Sequence, residues 1–206
     1  MNYLEQIVTS TNDFAEFAQG YFDRLREVLD TLEPEDLRAL AATFEEARLE
    51  GRTIFVAGNG GSATTATSMA NDLGFDILKK AGVSRTFRIM ALTDNLAAIT
   101  AIANDIGYDN VFVRQLEIHH RPGDPVVVIS ASGNSPNVVA AAEWVKERGG
   151  KVIAFLGFSG GRLKEMSDVI LHVKTDAGEY GPVEDAHLVI NHLLAHWFQA
   201  KLRGTE

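Results

Sequence analysis

Two short stretches, Gly58-Asn-Gly-Gly-Ser62 and Ser130-Ala-Ser-Gly-Asn-Ser135, contain the residue types that hold a phosphate ester. In the first, glycines let backbone N–H groups approach an anion closely, so Asn59, Gly60 and Gly61 are candidate ligand contacts and Ser62 adds a hydroxyl donor. In the second, Ser130, Ser132 and Ser135 supply three hydroxyls beside Gly133 and Asn134. Each stretch follows an apolar run and precedes a helical pattern. Each therefore falls where a helix N-terminus offers free N–H groups and the positive end of its dipole. Either loop alone could be a tight turn with a serine N-cap. Two such junctions in one small chain favour a shared phosphate site. The first loop lacks the lysine of a P-loop and the spacing of a dinucleotide fingerprint, which disfavours nucleotides.

A second set of candidates lies near the end of the chain. Glu184, Leu188, His192 and His196 recur every four residues, which aligns them on one face of a predicted helix that also carries His187 and Asn191. Moving a proton between adjacent sugar carbons needs a base, and the developing oxyanion needs an acid or a metal. A carboxylate and a histidine supply both.

The elements that must position these groups are readable from periodicity. Residues 3 to about 49 have apolar residues at helical spacing, with Pro34 suited to a first helical turn. Two or three amphipathic helices therefore precede the first strand, serving either this sheet or a partner subunit. Apolar runs at residues 53–57, 87–91, 125–129, 152–156 and 169–173 read as buried parallel strands, and helical segments alternate with them. The expected fold is α/β: a three-layer sandwich with a central parallel sheet, flavodoxin- or Rossmann-like, with its site at the carboxyl ends of the strands. A chain of 206 residues calls for one domain, residues 1–206, with residues 1–50 used in packing or oligomerisation.

The net charge of −9 opposes general attraction to nucleic acid or anionic membranes, so any phosphate site must be local. No basic leader precedes an apolar run, and no stretch approaches the length of a membrane span, so a cytoplasmic location is expected. The absence of cysteine leaves metal binding to histidine and carboxylates.

The two loops, together with Thr93-Asp-Asn95 and Ala103-Asn-Asp-Ile-Gly-Tyr108, resemble the sugar isomerase (SIS) domain, and most closely its phosphoheptose isomerases. The resemblance runs from the N-terminal helices to His196. It implies a homotetramer with sites formed between neighbouring chains, acting on a phosphosugar. Asp72 matches the position of a glutamate that serves as catalytic base and metal ligand. His192 matches the catalytic acid and zinc-binding histidine. Glu184 stands where a glutamine contacts the metal, so Asp72, Glu184 and His192 are the implied set for a divalent metal, zinc by analogy. Asp94 is the expected sugar contact in the segment after the second strand, whereas Arg114 and Gln115 are expected at the surface or in a subunit contact. The sequence departs from the family at Ser68, Asp76 and Ala131, which replace a histidine, an arginine and a threonine.

The resemblance implies isomerisation of a ketose phosphate to an aldose phosphate, sedoheptulose 7-phosphate to heptose 7-phosphate, serving heptose biosynthesis. The competing reading is a noncatalytic relative that binds phosphosugars or associates with a replication initiator. With neither a helix-turn-helix extension nor a basic patch, direct nucleic-acid binding is not expected.

Overall fold

The computed structural model describes residues 1–204. Five parallel strands, β1 (Thr53–Gly58), β2 (Arg88–Ala91), β3 (Val126–Ser130), β4 (Val152–Leu156) and β5 (Val169–His172), form one sheet in the order β2-β1-β3-β4-β5. All five strands lie where the apolar runs place them, with no end displaced by more than one residue.

Side chains alternate across a strand, so each strand feeds both faces of the sheet. On one face Ile54, Val56, Val127, Ile129, Ile153 and Phe155 join a core with α3 (Pro34–Glu50), α4 (Gly61–Met69) and α10 (Tyr180–Leu202). On the other, Phe55, Ala57, Val128, Ala154 and Leu156 pack with α7 (Val113–His119), α8 (Pro136–Lys146) and α9 (Gly161–Met166). Burial on both faces explains why the strands read as continuous apolar runs rather than alternating ones. The remaining helices are α1 (Tyr3–Ser10), α2 (Phe14–Leu29), α5 (Asp76–Ala81) and α6 (Leu96–Asp105). Among the described residues no helix is long and apolar enough to cross a membrane.

The three N-terminal helices differ in how far they join the core. The third, α3, buries Leu40, Phe44 and Ala47 against the sheet, whereas α2 buries only Val28 and α1 buries nothing. Phe14 and Phe22 of α2 stand exposed.

The strand order matters for the site. β1 lies between β2 and β3, so the chain's direction of travel across the sheet reverses there, and the loops leaving the carboxyl ends of β1 and β3 lie side by side. Ligands of open α/β sheets bind in that crevice. Both glycine- and serine-containing loops occupy it.

Candidate active site

The two loops enclose a cavity of about 150 Å³ lined by Asn59, Ser62, Ser130, Ser132, Ser135, Tyr180 and Glu184. Gly60 turns the first loop with φ 55°, a conformation that side chains resist, and delivers the chain into α4 with Ser62 in its first turn. In the second loop Gly133 has φ 66° and its Cα faces the Gly160 carbonyl so closely that no Cβ fits. The serine hydroxyls are already organised: Ser130 Oγ accepts from Gly133 N at 3.1 Å, lies 3.4 Å from Ser135 Oγ, and Ser132 Oγ accepts from Asn134 N at 3.3 Å. Asn59 plays a different part from its neighbours. Its amide exchanges two hydrogen bonds of 2.9 Å with Asn137, and its Oδ1 also accepts from the Tyr108 hydroxyl at 2.9 Å. The side chain therefore ties the first loop to the helix that follows the second. Asn137 is almost fully buried and carries no motif of its own, which is why sequence reading passes over it.

Glu184 projects from the first turns of α10 onto the first loop, and its carboxylate fills the space where a Cβ on Gly61 would sit. Burial, with Asp185 adding to it, pushes the Glu184 carboxyl above its ordinary range. Among the described residues no lysine or arginine lines the cavity. A phosphate there would rely on helix N-termini and hydroxyls while facing this carboxylate. Glu184→Gln is accordingly expected to tighten inorganic phosphate binding about five- to tenfold at pH 8 in chelator-treated protein, through loss of about 1 kcal/mol of like-charge repulsion. Titration calorimetry that gave equal or weaker binding would remove the repulsion argument.

Farther along the same helices lies the second cluster. α4 passes into a π-helical turn, Ala70–Phe75, that carries Asp72. Such turns recur at functional sites because the extra residue redirects side chains. Asn191 Nδ2 donates to Asp72 Oδ2 at 2.7 Å, Asn71 Nδ2 donates to Oδ1 at 3.0 Å, and His192 Nε2 lies 3.7 Å from Oδ2. Asp72 is mostly buried and His192 half exposed. The structure thus brings a fixed carboxylate beside an accessible imidazole, the pair needed for proton transfer at carbon and oxygen.

Glu184 does not join them. It lies eight residues before His192 on one continuous helix, a rise of about 12 Å. Among the described residues no three histidine or acidic side chains gather around one point that could hold a metal. Within one chain the expected set of three is therefore divided: Asp72 and His192 could share an ion, while Glu184 faces the serine cavity. Four-residue spacing aligns side chains on a face, but two such steps already carry them about 12 Å apart along it.

Residues 17–157 match the SIS domain family. The chain belongs to that family. It is 36% identical over 184 residues to the probable phosphoheptose isomerase of Thermoplasma acidophilum, covering 89% of this chain and 98% of that one. With the phosphoheptose isomerase of Rhodospirillum rubrum it shares 35% identity, covering 88% and 91% of the two chains. The solved structure of phosphoheptose isomerase GmhA from Neisseria gonorrhoeae superposes with a TM-score of 0.76 at 29% identity, over 90% of this chain and 96% of that one. The SIS fold expected from the loops is thus the fold observed.

Most other residues singled out from the SIS resemblance fall outside the cavity. Asp94 is exposed in the turn after β2 and accepts from Thr67 Oγ1 at 2.8 Å. Asp76, in place of the family arginine, pairs with Lys80 at 2.7 Å, and that contact holds its carboxyl below the usual range. Ala131 lines the cavity without a polar group. Arg114 pairs with Glu117 on its own helix. Gln115, expected at the surface or in a subunit contact, is instead buried, donating to the carbonyls of Leu92 at 2.9 Å and Val111 at 2.8 Å. It satisfies a carbonyl at the end of β2 that the sheet leaves unpaired.

His196 is exposed. His187 is fully buried under the sheet, its Nε2–H donating to the Leu156 carbonyl at 3.2 Å, and burial lowers its pKa from 6.5 to about 4. The folded imidazole thus binds a proton less readily than the unfolded one, so stability is retained above about pH 6.5 and lost as pH falls toward 4. By pH 5 this group alone removes about 2 kcal/mol. Urea midpoints at pH 7 and pH 5 should converge in His187→Gln relative to the parent. An unchanged gap would assign the acid sensitivity to other groups.

Proposed function

We propose that the protein isomerises a ketose phosphate to an aldose phosphate, with sedoheptulose 7-phosphate as the substrate and heptose biosynthesis as the setting. The observation that carries this reading is the Asp72 carboxylate, held by Asn191 beside the His192 imidazole on helices that also present the serine cavity. The cavity takes the phosphate on Ser62, Ser130, Ser132 and Ser135, with backbone donors at Gly60 and Gly61. Asp72 removes the proton from the carbon bearing the hydroxyl next to the ketone, giving an enediol, and returns it to the neighbouring carbon. His192 moves the proton between the two oxygens, so charge never accumulates on either. Asp94 contacts the sugar from the turn after β2.

The wider reading is of one SIS domain over residues 1–206, assembled as a cytoplasmic homotetramer. Exposed Phe14 and Phe22 on α2 support assembly through the N-terminal helices, because large aromatic side chains on a lone surface favour a partner. A divalent metal, zinc by analogy with the family, would be held by Asp72 and His192, with Glu184 of a neighbouring chain as the third donor. Such an ion would polarise the sugar oxygens. Neither step above requires it.

The deciding experiment incubates purified protein with ketose phosphates of five to seven carbons, with and without added zinc, and follows aldose formation by NMR. Conversion of sedoheptulose 7-phosphate supports the proposal; conversion of none, together with tight phosphosugar binding, supports a noncatalytic phosphosugar sensor. Light scattering should give the mass of four chains, and a monomer mass at micromolar concentration would remove the shared-site part.

A further inference from the structure

Tyr180 lines the serine cavity from the first residue of α10, four residues before Glu184, so the two side chains share a helix face and form one wall. Its ring is held unusually firmly for a side chain that is 54% exposed. The preceding residue, Glu179, is fully buried and paired with Arg24 of α2 at 2.7 Å. The following residue, Gly181, lies so close to the Tyr21 hydroxyl that an added Cβ would come within 2.8 Å of it. The ring itself meets Phe158 edge to face, with centroids 5.0 Å apart and planes at 82°.

Phe158 is in turn fixed at some cost. Among the described residues it is the only one other than glycine with positive φ, 46°, a conformation that a bulky side chain resists. His172 Nε2 donates to its carbonyl at 2.9 Å. Its loop is bound to the serine loop by Gly157 N to Ala131 O at 3.0 Å, Leu163 N to Gly133 O at 3.1 Å and Arg162 N to Asn134 Oδ1 at 3.0 Å. The strained loop therefore sets an aromatic ring at a fixed place relative to the three serines. The Tyr180 hydroxyl makes no hydrogen bond among the described residues, which leaves a placed donor at the cavity.

We infer that Tyr180 is a specificity-determining residue: its ring, seated on Phe158, covers the carbon chain next to the bound phosphate, and its hydroxyl meets a sugar hydroxyl. The cavity then selects phosphate esters of polyhydroxy carbon chains over inorganic phosphate. This rests on the phosphosugar reading of the serine cavity and adds to it the group that reads the organic part of the ligand. Strain is retained at Phe158 because a free ring would lose most of its orienting value when the ligand binds.

The test is titration calorimetry with inorganic phosphate and with sedoheptulose 7-phosphate, on the parent protein and on Tyr180→Phe, Tyr180→Ala and Phe158→Gly. The last variant releases the strained backbone and removes the ring's seat while keeping the tyrosine. Inorganic phosphate should bind all four within about twofold. The sugar phosphate should weaken about three- to tenfold in Tyr180→Phe, the range for one lost hydrogen bond, and more than about tenfold in Tyr180→Ala. Phe158→Gly should fall between parent and Tyr180→Ala. If neither ligand binds the parent, the phosphosugar reading itself fails. If both bind the parent but the preference for sugar phosphate survives in Tyr180→Ala, the role of Tyr180 is overturned while the cavity stands. Equal loss of both ligands in a folded Tyr180→Ala would also overturn it, since the residue would then only shape the pocket.

Discussion

Asp72→Asn is expected to lower isomerisation by a factor of about 10² to 10⁴, the usual share of a positioned general base, while leaving phosphosugar affinity nearly unchanged. The substitution is close to isosteric, and its amide oxygen can still accept from Asn191, whose Nδ2 donates to Asp72 Oδ2 at 2.7 Å. The shape of the cluster therefore survives and only the basic lone pair is lost. Binding should persist because Asp72 does not line the serine cavity. The most direct measurement is deuterium wash-in at the carbon next to the carbonyl, followed by NMR in heavy water. The parent should exchange that position and Asp72→Asn should not. Equal exchange by both proteins would place the base elsewhere. His192→Asn separates the two roles: carbon exchange should continue at a reduced rate while net conversion falls further, because the oxygen proton has lost its carrier.

Why the carboxylate lies within reach of His192 is not written in any motif. A π-turn has no compositional mark, and nothing in the pattern after the first loop sets Asp72 apart from an ordinary helix position. The strands were legible because burial on both faces turns each into an apolar run bounded by turn residues, and the loops because only glycine and serine suit a backbone that approaches an anion. What escaped were long-range polar contacts. Asn191 meets Asp72 across 119 positions, and Gln115 meets Leu92 through a helix that looks amphipathic and exposed. Periodicity placed Glu184 and His192 on one face, and the family resemblance implied a common ion for them. The rise of a continuous helix separates them by about 12 Å, which no statement about a shared face takes into account. The aromatic stripe of α2 fitted either the sheet or a partner subunit; in the folded chain Phe14 and Phe22 remain exposed, which is the surface the proposed tetramer would cover.

Arg24→Met is expected to destabilise the fold by about 2 to 3 kcal/mol, because it strands a carboxylate that has no access to water. Glu179 is fully buried, and its oxygens accept from Arg24 Nε at 3.2 Å and Nη2 at 2.7 Å and from Asp176 N at 3.0 Å. Arg24 itself retains 18% exposure, so the loss should fall below that of a wholly buried pair. Glu179 in the parent raises the arginine's pKa chiefly through the hydrogen bond, so the guanidinium stays charged at any working pH. The same helix bonds α10 once more: the Tyr21 hydroxyl donates to Asp185 Oδ2 at 2.6 Å, and burial with that contact holds the phenol well above its ordinary range. Two ties from α2 thus frame Tyr180 and Glu184, the wall of the serine cavity. Urea denaturation should give a lower midpoint for Arg24→Met, with most of the loss recovered in Arg24→Met combined with Glu179→Gln, where the stranded charge is gone. The double variant also separates stability from positioning. With the fold restored but the fork-shaped donor missing, sugar phosphate should still bind more weakly than in the parent, since the tie that anchors Glu179 just before α10 is then gone. A double variant that recovered stability and full affinity together would confine the Arg24 to Glu179 pair to a structural role.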